Sequence, residues 1–113
     1  MQERPTPRFL AFEVAILAIE GMRPLVEEVR RQDRDLGEQM RRAGSSIALN
    51  VAEGNYSQKA NRTARYFNAL GSASESRACL QLARARYGIE VGAEVWDQLD
   101  HVIAVLWKLT RKK

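Results

Sequence analysis

Few residues in this 113-residue chain are of a type that does chemistry. Cys79 is the sole cysteine and His101 the sole histidine. As a nucleophile and base they lack a third group to orient the imidazole, which such pairs require. A lone cysteine in a helix is ordinarily a small packing residue, and it excludes an internal disulfide. His101 is most simply a solvated surface residue. Glu13, Glu20 and Glu27 recur seven apart, a spacing that invites comparison with carboxylate metal sites. Those sites need a Glu-x-x-His motif on each of two helices. His101 is instead preceded at that spacing by Gln98, so no metal site is expected. The glutamates are expected to pair with Arg23, Arg30 or a neighbouring subunit. Gly71 and Gly92 lack the spacing of a phosphate-cradling loop. No cofactor is implied, and the residues point away from an enzyme.

Arginine carries the stronger signal. The formal charge is +4, with fourteen arginines against four lysines. Residues 57–86 hold Lys59, Arg62, Arg65, Arg77, Arg84 and Arg86 against Glu75 alone, a net +5. On a helix, Arg62, Arg77 and Arg84 fall on one side with Tyr66, Ala73 and Leu80 among them, and Arg65 lies further round. Guanidinium groups interleaved with a tyrosine suit phosphate and base contact. A pI near 9.6 adds to that reading. Arg41, Arg42 and the Arg111–Lys113 tail are the next candidates. The plainer alternative is a solvated face, or one that pairs with glutamates across a subunit interface.

These residues must be held by helices. Seven glycines and three prolines leave long uninterrupted stretches, which favours an all-α fold over a turn-rich β fold. Residues 1–7 are expected to be a flexible segment and 8–113 a single domain. The first helix should run from near Pro7 to about Arg31. Its stripes are Leu10, Val14, Leu17, Gly21 and Leu25, then Phe9, Phe12, Ile16, Ile19 and Val26, with Ala15, Ala18, Met22 and Val29 near a third. Pro24 should kink or restart it. The second helix should start at Asp35 as N-cap, with Glu38 three residues on, and stop at Gly54-Asn55. Leu36, Met40, Ala43, Ile47, Val51 and Gly54 form its stripe. The third should span Ser57 to Arg86 with a core stripe of Ala60, Ala64, Phe67, Leu70, Gly71, Ala78, Leu82 and Ala85. Tyr87-Gly88-Ile89 ends it. The fourth should run from Val91 to Thr110, with Val95, Leu99, Val102, Leu106 and Leu109 inward.

Short connections imply an up-down-up-down four-helix bundle. A first helix apolar on several sides needs more cover than one monomer supplies. Phe9, Phe12 and Ile16 therefore mark an expected oligomer interface, and the Trp96, Ile103 and Trp107 flank is either a wider core stripe or part of that interface. No membrane span or signal peptide is evident, and a cytoplasmic location is expected.

The run Gln39-Met40-Arg41-Arg42-Ala43-Gly44-Ser45-Ser46-Ile47-Ala48-Leu49-Asn50-Val51-Ala52-Glu53-Gly54 resembles "Q-x-R-R-A-x-x-S-I-x-x-N-I-A-E-G". That pattern belongs to a bacterial four-helix-bundle family named for reading frames in intervening sequences of large-subunit ribosomal RNA genes. Phe67 to Glu75 is similar to its second signature, "F-x-x-x-A-x-G-S-x-x-E", with Leu70 at the alanine position. Leu49 replaces a small residue, and Phe9-Leu10-Ala11-Phe12 replaces the usual opening of the first helix. The resemblance implies a ring-like homopentamer with no attached enzymatic activity. It also implies kinship with accessory variability determinant proteins of diversity-generating retroelements, which bind nucleic acid and a reverse transcriptase. Two partnerships follow as expectations: contact with RNA or DNA, or docking on a reverse-transcriptase-like protein without nucleic-acid contact. Asn50, Glu53, Gly54, Gly71, Ser72 and Glu75 are motif residues. Polar groups so close to packed surface need hydrogen-bond partners, which favours a structural role.

Overall fold

The computed structural model describes residues 6–111, and these form four helices with no strand among them. They are α1 (Pro7–Gln32), α2 (Arg34–Asn55), α3 (Lys59–Tyr87) and α4 (Ala93–Arg111). Most of the expected flexible segment, and the end of the basic tail, lie outside the described residues; Thr6 and Pro7 already belong to the start of α1. The contacts run α1 to α2, α2 to α3, α3 to α4 and α4 back to α1, so α1 and α3 occupy opposite corners. No helix among the described residues is long and apolar enough to cross a membrane.

Asp33 alone separates α1 from α2 and serves both. Its backbone N–H donates to the Val29 carbonyl at 2.7 Å, closing α1, and its carboxylate accepts from the Leu36 N–H at 3.0 Å, capping α2. The cap is thus Asp33, not Asp35, because only Asp33 has extended backbone there. So tight a turn forces the helices together at Gly37, where a β-carbon would overlap the Arg30 side chain. α1 runs unbroken through Pro24, with no restart. Its buried stripe is Ala11, Val14, Ala15, Ala18, Met22, Leu25, Val26 and Val29. Small alanines at the centre let α2 and α4 approach closely and turn Phe9, Phe12, Ile16 and Leu17 outward. The six expected inward residues of α2 are buried, joined by Gly37, Gly44 and Ala48, and in α4 Leu99, Val102, Leu106 and Leu109 are buried as expected while Val95 is half-buried.

α3 is rotated from its expected setting. Tyr66, Ala69, Ala73, Ser76, Cys79, Leu80 and Ala83 face the core, and the six besides Cys79 alternate three and four apart. The expected stripe lies largely in solvent: Phe67 is 46% and Leu82 41% exposed, and Gly71 faces open space. Gly54 and Asn55 set the rotation together. A β-carbon at Gly54 would sit 2.6 Å from Cε1 and 2.9 Å from Cδ1 of Tyr66, so the missing side chain is a recess that the tyrosine ring fills. At its rim the Tyr66 hydroxyl donates to Asn55 Oδ1 at 2.6 Å, and Asn55 Nδ2 donates to the Arg8 carbonyl at 3.1 Å. Three helices are clasped at that end. At the other end the Tyr87 hydroxyl donates to Asp33 Oδ2 at 2.5 Å. There Gly88, at φ 66°, terminates α3 in the left-handed conformation.

Two outcomes follow. Gly54→Ala improves helix propensity by about 1 kcal/mol, but the ring it meets is 2% exposed and cannot withdraw. Overpacking therefore wins, and the urea midpoint should fall by the equivalent of about 1–3 kcal/mol. Asp33 is held below the usual carboxylate range, first by the Tyr87 hydroxyl, then by the Leu36 amide and the Arg86 charge. A carboxyl lower in the folded than in the unfolded state stabilises above its ordinary range and loses that contribution as pH falls through the folded value. Asp33→Asn keeps the cap but not the charge. Denaturant midpoints between about pH 5 and 3 should decline less steeply in the variant than in wild type.

Candidate functional site

Motif residues gather along the seam between α2 and α3. Ser72 Oγ donates to Ser46 Oγ at 2.8 Å, and Asn50 Nδ2 donates to both the carbonyl and the hydroxyl of Ser46 at 2.9 Å. Ser76, fully buried, returns its hydroxyl to the Ser72 carbonyl at 2.9 Å. Gln39 Nε2 reaches Glu75 Oε2 at 3.4 Å, and Arg65 Nη1 pairs with Glu53 Oε2 at 3.0 Å. These groups tie the two helices together while their outer atoms still meet solvent. Gly71, by contrast, packs against nothing in the monomer.

Above this ladder lies an open groove of about 340 Å³. Arg41, Arg42 and Arg65 line it together with Ser45, Ser46, Asn50 and Glu53. Arg41 Nε contacts Glu38 at 3.2 Å, and Arg65 is held by Glu53. Arg42 is exposed and forms no ion pair among the described residues. The groove therefore offers guanidinium N–H groups beside hydroxyl and amide groups, the donor set that binds phosphate and sugar oxygens.

The other basic residues lie elsewhere. Arg77 Nε pairs with Asp100 at 2.9 Å, and its guanidinium stands 5.0 Å from the Trp96 ring centroid. Arg84 stands 5.9 Å from the same ring. Both face α4, not the groove. Arg62 is half-buried, donating to the Ser57 carbonyl at 3.3 Å. Tyr66 leaves the basic face altogether, because it fills the Gly54 recess, and burial pushes its phenol pKa up. Trp96 and Ile103 are half-buried against the chain's own core, which removes them from a fully exposed flank. Trp107 is 51% exposed, with Arg111 stacked 3.5 Å from its ring centroid. Leu49, noted only as a motif departure, and Tyr56, not noted, are both exposed. Their signal was a large apolar residue on the polar side of the α2 stripe and another beyond its end.

Cys79 is buried, and burial first, then the nearby Glu75 charge, raises its thiol pKa. A protonated, enclosed thiol is a packing group. His101 is exposed. Among the described residues no cluster of metal-ligating side chains exists.

Among curated proteins, none matches the chain. In fold it is similar to a crystal structure from Bacteroides thetaiotaomicron, a protein of unknown function from the S23 ribosomal protein family. The match has a TM-score of 0.82 at 17% identity and covers 95% of this chain and 100% of that one. Neither description names an enzymatic activity. The family model of the 23S rRNA-intervening sequence protein matches residues 12–108, across all four helices and both motifs. The chain belongs to the 23S rRNA-intervening sequence protein family.

Proposed function

We propose that this protein is a non-enzymatic, up-down-up-down four-helix bundle that assembles with copies of itself and binds nucleic acid, RNA foremost. One observation carries the binding: Arg41, Arg42 and Arg65 converge with Ser46 and Asn50 on one open groove. The family's description names a ribosomal RNA, which makes RNA the first ligand to test. Contact is electrostatic, with guanidinium groups on phosphates and hydroxyl or amide groups on sugar edges. We assign the contact to this groove rather than to Arg77 and Arg84, which turn toward Asp100 and Trp96 on α4. Self-assembly is supported by the apolar side chains that the monomer leaves outside, Phe9, Phe12 and Ile16 on α1 and Phe67 and Leu82 on α3. The homopentamer implied by the sequence resemblance is the stoichiometry we favour.

The test is fluorescence anisotropy with single-stranded and duplex RNA across a salt series. Wild type should bind, weakening linearly in log affinity against log salt. Arg41→Gln with Arg42→Gln should lower that slope by about 2, one for each lost phosphate contact. Arg77→Gln with Arg84→Gln should leave it unchanged. No binding near about 50 mM salt overturns the nucleic-acid reading and returns the protein to docking on another protein. A slope change confined to the Arg77/Arg84 variant moves the contact to the α3–α4 face.

A further inference from the structure

We infer that Ser46 and Asn50 together read the ribose 2′-hydroxyl, so that the groove takes RNA in preference to DNA. This rests on the nucleic-acid reading proposed above and names what the groove selects. Two hydrogen-bond positions at the pair are left open. Asn50 Nδ2 carries two hydrogens and makes two bonds, to the carbonyl and to the hydroxyl oxygen of Ser46, each at 2.9 Å. A carbonyl can only accept, so the amide nitrogen faces Ser46 and Oδ1 faces away. Oδ1 has no partner among the described residues and is not sealed from water. The Ser46 hydroxyl oxygen accepts from Asn50 and from Ser72, which fills both of its lone pairs. Its proton is left to donate. One free donor and one free acceptor therefore stand side by side on the wall of the groove that Ser46 and Asn50 line.

A hydroxyl matches this pair, because its one oxygen both donates and accepts. Along a nucleic-acid chain the ribose 2′-OH is that group, and DNA lacks it. Asparagine's usual base contact, the N6 and N7 edge of adenine, needs the amide nitrogen as well as the oxygen. Ser46 has already taken that nitrogen. The placement fits a sugar too. Arg42, Ser46 and Asn50 follow one another at four-residue steps along α2, about 6 Å per step. A phosphate on Arg42 thus sets its own ribose against Ser46. Leu49, 65% exposed in the same groove, offers the carbon face of the sugar an apolar surface. Glu53, the carboxylate in the lining, is paired with Arg65 at 3.0 Å, so its charge is matched.

Three single-stranded oligonucleotides of one length and one uracil-free sequence test the reader: RNA, DNA, and RNA with fluorine in place of every 2′-hydroxyl. All three carry the same phosphates, so the salt-dependent attraction is common to them. The 2′-fluoro strand keeps the RNA sugar shape without the donor. By fluorescence anisotropy at one salt concentration, wild type should bind RNA about 3–10-fold more tightly than either other strand, the worth of one hydrogen bond. Ser46→Ala should bring RNA down to the DNA level, with circular dichroism checking that the helices persist. If that variant loses helicity, the three strands on wild type decide alone. Equal affinity for RNA and DNA, or a 2′-fluoro strand that binds as tightly as RNA, overturns the hydroxyl reader and leaves the groove a phosphate site. An RNA preference that survives Ser46→Ala in a folded protein overturns the assignment to Ser46 and Asn50. Binding of none of the three overturns the nucleic-acid reading and this inference with it.

Discussion

The ring of Tyr66 lies on the backbone of Gly54, and the settings of α1, α2 and α3 follow from that contact. A side chain at position 54 would hold the helices apart. Without one, α3 can approach only with Tyr66 turned inward, and its hydroxyl then meets Asn55, which in turn holds Arg8. The buried phenol would be costly without that partner. Volume and hydrogen bonding therefore select the same rotation of α3. The Asp33–Tyr87 pair repeats the logic at the other end, where one carboxylate caps α2 and accepts from α3. Between the two clasps, the Ser46–Ser72 bond holds the seam.

Fixing α3 in this rotation sets what the surface can do. It sends Arg65 toward α2, where Glu53 orients it beside Arg41 and Arg42, and sends Arg77 and Arg84 toward Trp96. One basic helix becomes two surfaces of different character. It also turns Phe67 and Leu82 to solvent at the corner opposite Phe9 and Ile16. The small inward residues of α1 and α3 have the same origin as the large outward ones. Alanines and serines set among the larger inward side chains let the helices approach, and Phe9, Phe12, Phe67 and Leu82 are left outside.

Much of this was legible in the sequence. Four helices, the stripes of α2 and α4, and the glycine end of α3 follow from periodicity and caps alone. The α2 cap was misplaced by two residues, because Asp33 and Asp35 are chemically equivalent and only the backbone turn distinguishes them. α3 was read inside out. The expected stripe and the true one are both mostly small residues with a few large ones, so hydrophobicity does not choose between them. The true stripe is marked by heptad spacing of modest residues, from Tyr66 through Ala69, Ala73, Ser76 and Leu80 to Ala83. Tyr66 seemed a base-stacking group for the same reason. Nothing in one sequence says that Gly54, read as a helix stop, is the recess for a tyrosine twelve positions on.

The clasp is most directly tested by a double-mutant cycle on Tyr66→Phe and Asn55→Ala, measured by urea denaturation. If the Tyr66–Asn55 bond holds α3 in its rotation, the two changes should be coupled by about 0.5–3 kcal/mol. Each single variant should be destabilised, and the double variant should lose less than the sum. Strict additivity, within about 0.3–0.5 kcal/mol, would contradict the account, because it would mean that packing at Gly54 alone sets the helix and the hydrogen bond merely follows.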